Sequence, residues 1–176
     1  MNKILLILLM SSTVFYSQKK EHFKSGTEVL KFKKLSSFKI PKSILFEFSG
    51  DTHLIYYYLD LSKKIEKRFN KEEIKVEFNY NLTEGTYDED LKKIPKKISN
   101  PKNYDAFCKM QIKSFKNLKR NKIGEMKQVY DLELNLLENE KTVLKATLNI
   151  KTYNTILTKN NRVSKDLLKI ITNKKN

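Results

Sequence analysis

From Ser43 the chain alternates. SILFEF places Ile44, Phe46 and Phe48 on one face, with Leu45 covered on the other, and predicts a strand. SGDTH interrupts the alternation, and Asp51 or Thr52 is placed to cap the next segment. In LIYYYLDLSKKIEKRF, Leu54, Tyr58, Leu61, Ile65 and Phe69 recur at helical spacing while Lys63, Lys64 and Lys67 fall outside that stripe, so residues 54–69 predict a helix. IKVEFNYNL at 74–82 returns to alternation, with Ile74, Val76, Phe78 and Tyr80 against Lys75, Glu77 and Asn79. The unit is strand, helix, strand.

Residues 83–103 hold Gly85, Pro95 and Pro101 among mixed charges without periodicity, and predict a long loop of the kind that often carries function. YDAFCKMQIKSF then alternates Ala106, Cys108, Met110 and Ile112 against Phe107, Lys109, Gln111 and Lys113. Beyond a basic turn, Tyr130, Leu132, Leu134 and Leu136 form one inward set and Leu144, Ala146, Leu148 and Ile150 another, joined as a hairpin by ENEK at 138–141. Asp131, Glu133 and Asn135 lie outward, opposite Lys145, Thr147 and Asn149. NNRVSKDLLKIITNKK offers a cap at Asn160 or Asn161 and an apolar set of Val163, Leu167, Ile170 and Ile171, so a helix closes the chain. The lysine-rich stretch before Ser43 contains VLKFKK at 29–34, a candidate short strand. The expectation is an α+β fold: one mixed sheet, a strand-helix-strand unit followed by antiparallel strands and a C-terminal helix, with both helices on its apolar face.

MNKILLILLMSSTVFYSQKK changes the picture by assigning a compartment. Lys3, an apolar run from Ile4 to Met10, and small and polar residues through Gln18 have the layout of a secretory signal, with cleavage expected near Ser17. The apolar run is far short of the ~20 residues a membrane helix needs, and no later segment approaches that length. The expected organisation is a signal at 1–17, a basic arm at 18–42, and one α/β domain at 43–176. About 160 residues remain after the signal, enough for one real core. The expected product is periplasmic or secreted.

The formal net charge is +16, or +15 without residues 1–17, which hold Lys3 and no acid. Of 36 basic residues only Arg68, Arg120 and Arg162 are arginines, so the surface offers ammonium charges rather than the planar forks that read bases. Export also argues against nucleic acid. Lys116, Lys119, Arg120 and Lys122 crowd one turn, which either is simply solvated or meets an anionic lipid or glycan.

Candidate chemistry is sparse. Cys108 is the one cysteine, so no internal disulfide forms, and only His22 and His53 are on offer as a base for it. Its alternation with Met110 and Ile112 makes it a small buried hydrophobe. Two separated histidines and one cysteine give no zinc spacing, and Asp88, Glu89 and Asp90 lack the ligand pattern of a calcium loop, so neither metal nor cofactor is expected. The strand-to-helix turn Ser49, Gly50, Asp51, Thr52 and His53 is the candidate ligand site: it can present backbone donors to an anion, or support a hydrolase using Ser49 or Asp51 with His53. The same residues also serve an ordinary turn and cap. Tyr58 belongs to the helical stripe, leaving Tyr56 or Tyr57 to face outward.

ILFEFSGDTHLIYYYLDLSKKIEKRF resembles the opening strand, turn and helix of the TolB amino-terminal domain and of the periplasmic curli-assembly domain. YDLELNLLENEKTVLKATLNI is similar to the later hairpin of small bacterial envelope auxiliary proteins, and together the likeness spans roughly residues 43–172. It implies a non-enzymatic envelope component that assembles with an envelope protein or with itself. The chain departs from that pattern in lacking a cysteine for lipidation after the signal.

Because Cys108 is read as packing, Cys108→Ser is expected to weaken folding by roughly 1–3 kcal/mol, through a poorly satisfied hydroxyl in place of the thiol. The native thiol should resist a thiol reagent that labels the denatured chain at once.

Overall fold

The computed structural model describes residues 23–83, 99–120 and 124–173. The expected signal, most of the long loop and Lys122 lie outside the described residues. In chain order the elements are β1 (Gly26–Lys34), β2 (Ser43–Asp51), α1 (Ile55–Phe69), β3 (Lys75–Thr83), β4 (Ala106–Leu118), β5 (Lys127–Glu138), β6 (Lys141–Tyr153) and α2 (Asn160–Thr172). The strands form one six-stranded mixed sheet in the order β1-β6-β5-β4-β2-β3.

β2 is parallel to both neighbours, in register from Ser43↔Lys75 to Asp51↔Thr83 on one side and from Ile44↔Ala106 to Ser49↔Gln111 on the other. Parallel neighbours require crossovers, and α1 supplies the one from β2 to β3. The remaining pairs are antiparallel. VLKFKK thus belongs to an edge strand on β6, and its own sequence does not alternate cleanly because a bulge falls between Val29 and Lys31. β4 runs on to Leu118, three residues past the expected end near Phe115. The β5–β6 turn sets both Asn139 (φ 46°) and Glu140 (φ 66°) in the left-handed region, the geometry whose twist matches a two-residue hairpin.

Every inward position expected on β2, β5 and β6 is buried, as are Ala106, Cys108 and Met110 on β4. An aromatic layer joins sheet to helix: Phe48 stacks on Tyr58 at 4.7 Å between centroids, and Phe46 meets Phe69 edge-on at 5.6 Å. α1 buries a wider arc than its stripe foretold, adding Ile55 and Tyr57, because it packs on α2 as well as on the sheet. Tyr56 is the tyrosine left outside.

Asn160 is not the N-cap of α2, a position held by Lys159. It is the first residue of α2, fully buried, and its Nδ2 donates to Tyr57 O (3.1 Å) and to Asp60 Oδ2 (2.8 Å) on α1. Thr155 caps the short 3-10 turn before the helix. Asn161 accepts from Arg68 Nη2 at 2.5 Å, while Arg68 Nε donates to Ser164 Oγ at 2.9 Å, so the inter-helix seam is polar on one side. Asn79, expected to face solvent, is also buried, its side-chain amide pairing with both backbone groups of Ser99.

Burial disfavours the charged form of several groups: the pKa values of Cys108, Tyr57 and Tyr130 are shifted well up, and that of Tyr58 is pushed up to about 12. The folded state therefore holds protons that the unfolded chain releases near the ordinary thiol and phenol values of about 8.5 and 10. Stability from these groups is complete below those values and is lost as pH rises through and beyond them. Alkaline titration, read by near-ultraviolet absorbance, should show ionisation of the buried Tyr57, Tyr58 and Tyr130 as a late step that coincides with loss of far-ultraviolet ellipticity, after the exposed tyrosines have ionised.

Candidate functional site

The turn after β2 is built by one glycine and one carboxylate. Gly50 has φ +142°, and a Cβ there would meet Tyr58 Oη at 3.4 Å and Leu54 Cδ1 at 3.5 Å. Tyr58 Oη donates to Ser49 O at 3.0 Å and accepts from Ile112 N at 3.4 Å, bridging β2 and β4 just where their ladder stops. Thr83 Oγ1 donates to Gly50 O from the other side. Asp51, not Thr52, caps the 3-10 turn that leads into α1, accepting from His53 N at 2.8 Å.

The Asp51 carboxylate also accepts from His53 Nδ1 at 2.5 Å, so that ring nitrogen carries the proton. These two bonds, the backbone one first, hold the Asp51 carboxyl below its usual range. Thr52 is buried under the turn. Ser49 enters the turn through its carbonyl, and by strand alternation its side chain shares the face of Leu45 and Glu47, away from the helices. The arrangement is an Asp–His pair on a capped turn, with the serine on the opposite face of the sheet.

The lysine-rich turn lies at this same end of the sheet, since β4 is parallel to β2 and ends at Leu118. Lys116, Lys119 and Arg120 are exposed. Ion pairs between described residues, Lys64–Asp60, Lys75–Glu77 and Arg162–Asp166, lie outside this turn.

Two clefts were not foreseen. One of about 710 Å³ opens at the other end of the sheet, walled by Tyr104, Asp105, Phe107, Lys109, Leu137 and Glu140. Asp105 is committed to structure there, its Oδ2 accepting from Lys42 N and Ser43 N at 2.9 and 3.0 Å. The Lys109 ammonium lies 5.6 Å from the Phe107 ring centroid. A second cleft of about 530 Å³ runs between α1 and β3 past Glu66, Asn70, Phe78 and Tyr80. Both depend on how the chain returns from β3 to β4, which alternation does not encode. Among the described residues no group of three His, Cys, Asp or Glu side chains is placed to hold a metal ion, and no helix is long and apolar enough to cross a membrane.

Comparison with solved structures identifies the fold. The chain is similar to PelC from Paraburkholderia phytofirmans, solved as a dodecamer, with TM-score 0.55 and 10% identity over 85% of this chain and 100% of that one. A point variant of PelC in another crystal form matches with TM-score 0.51 and 10% identity over 84% of this chain and 98% of that one. Lipoprotein GNA1162 from Neisseria meningitidis follows at TM-score 0.42 and 11% identity, over 75% and 99% of the two chains. No protein-family model matches the sequence, and no curated protein matches it. At these identities the likeness is one of fold.

Gly50→Ala is expected to cost about 1–3 kcal/mol from backbone strain, with a lower denaturant midpoint and an unchanged slope. Tyr58→Phe, which removes one bridging hydroxyl, should cost only about 1 kcal/mol.

Proposed function

We propose that this chain is a non-enzymatic accessory protein of the bacterial cell envelope, exported and acting through protein–protein contact, with a second copy of itself as first partner. The carrying observation is the bare inner face of β1. Val29 and Phe32 pair with the buried Leu148 and Ala146 of β6, yet they are 45% and 47% exposed. Leu30 on the bulge, and Leu35 and Ile40 on the connection to β2, are exposed as well. An apolar strip along an unpaired edge strand is an interaction surface or an aggregation hazard. The solved dodecamer of PelC, a chain of the same fold, supports self-association, as does the resemblance to envelope auxiliary proteins. The segment at 1–17 supports export.

Val29→Asp combined with Phe32→Asp should shift the exported chain from an assembly to a monomer in sedimentation velocity, while leaving the thermal midpoint within a few degrees because both side chains already meet water. A wild-type chain that sediments as a monomer at the highest attainable concentration would overturn self-association.

A further inference from the structure

The described residues at the two ends of the sheet differ in charge. At the end bearing His53 they include the cations Lys24, Lys116, Lys119, Arg120, Lys127 and Lys159 and the carboxylates Asp51 and Glu125, with Asp51 bound to His53. At the other end Glu72, Glu73, Asp105, Glu138 and Glu140 accompany the lysines. The chain enters the sheet at the cationic end, where Phe23 packs edge-on against Tyr153 at 5.0 Å and Lys127 lies over the Phe23 ring.

Cations alone would have an ordinary explanation. Beyond Gln111, β4 loses its β2 neighbour and no other described strand pairs with it on that side, and lysine on such an edge discourages strand pairing. That account does not cover Phe115 and Leu118, which stand among the lysines at 43% and 42% exposure. Phe115 pairs with Tyr130 and shares the helix-side face, whereas Leu118 pairs with Lys127 on the opposite face. Large apolar groups on both faces of the last strand residues, ringed by cations, match an interface with a charged skin over an apolar interior. An acidic polysaccharide offers the first of these and not the second.

We propose that this end of the sheet docks on an anionic lipid surface. Phe115 and Leu118 enter the boundary between headgroups and acyl chains, and Lys116, Lys119 and Arg120 meet the headgroups. The surface is distinct from the β1 strip and does not depend on self-association.

The test is co-sedimentation of the exported chain with vesicles of phosphatidylglycerol and phosphatidylcholine, and with phosphatidylcholine alone, at low and high salt. Binding is expected to the anionic vesicles only, weakening as salt shortens the Debye length below ~8 Å. Replacing Lys116, Lys119 and Arg120 together with glutamine should lower partitioning by about 100-fold at low salt, at roughly fivefold per cation. Leu118→Ser, and separately Phe115→Ser, should each lower it several-fold, while sedimentation velocity shows the assembly state unchanged. Leu118 is the deciding position, since Phe115 also touches Tyr130 and its loss can disturb folding. Three results would overturn the proposal: no binding to anionic vesicles at low salt, binding indifferent to Leu118→Ser, or equal binding to a soluble acidic polysaccharide that competes the vesicles away.

Discussion

Cover is the governing constraint on this molecule. Six strands spaced ~4.8 Å apart need about 24–29 Å of cover across one face, and two helices of ~10 Å diameter give about 20 Å. The chain resolves the shortfall by laying α1 and α2 against each other over the middle of the sheet, which closes the core around Phe46, Phe48, Tyr58, Tyr130 and Leu148 and leaves β1 outside it. α2 reaches β1 only near its start, where Thr27 Oγ1 donates to Asp166 and Arg162 Nε stands 3.4 Å from Thr27 Oγ1. Past that clasp, Val29 and Phe32 have the alternation of a core strand and the exposure of a surface. Among the described residues no helix packs on the opposite face, which carries polar pairs such as Asn149 Nδ2 donating to Asp131 Oδ1 at 2.7 Å across β5 and β6.

Local order was legible in the sequence. Alternation in β2, β5 and β6 and most of β4, and the 3.6-residue spacing in both helices, depend only on neighbours along the chain, and those elements emerged with their inward residues in place. The hidden features are non-local. β1 looked ragged because its partner, β6, lies more than a hundred residues later and no described strand pairs with its outer edge. Asn160 and Asn79 looked like a cap and a solvated position, since a polar residue is an outward residue until a buried acceptor meets it; Tyr57 O, Asp60 and Ser99 do so across distant segments.

The candidate site divides along the same line. Gly50 and Asp51 were legible as turn and cap residues because those roles are local, and both are used as such, whereas Thr52, the alternative cap, is buried in the 3-10 turn. Whether Ser49 and His53 act together was not, because the answer depends on which face of the sheet the strand presents at its last residues. Tyr58 ties these levels together: its ring fills the core on Phe48 while its hydroxyl ends the β2–β4 ladder, so the helix that covers the sheet also fixes the turn from which it starts.

The sheet's edges are managed differently, and this decides where a partner strand or surface can approach. At β3 the edge is met by one described residue of the returning chain: the Asn79 side chain holds both backbone groups of Ser99 at 2.9 Å, and Ser99 Oγ donates to Glu77 at 2.6 Å. The free end of β4 is closed at its first donor by Tyr58 and then lined by Lys113 and Lys116. Among the described residues β1 has neither device. It carries Lys31, Lys33 and Lys34, whose charge opposes close backbone pairing with a like edge, while Val29 and Phe32 beside them favour an apolar contact. Those two tendencies are compatible only if a partner meets β1 by its face rather than by extending the ladder, so contact between copies here should be side-chain packing across the bare strip and not a continuous intermolecular sheet.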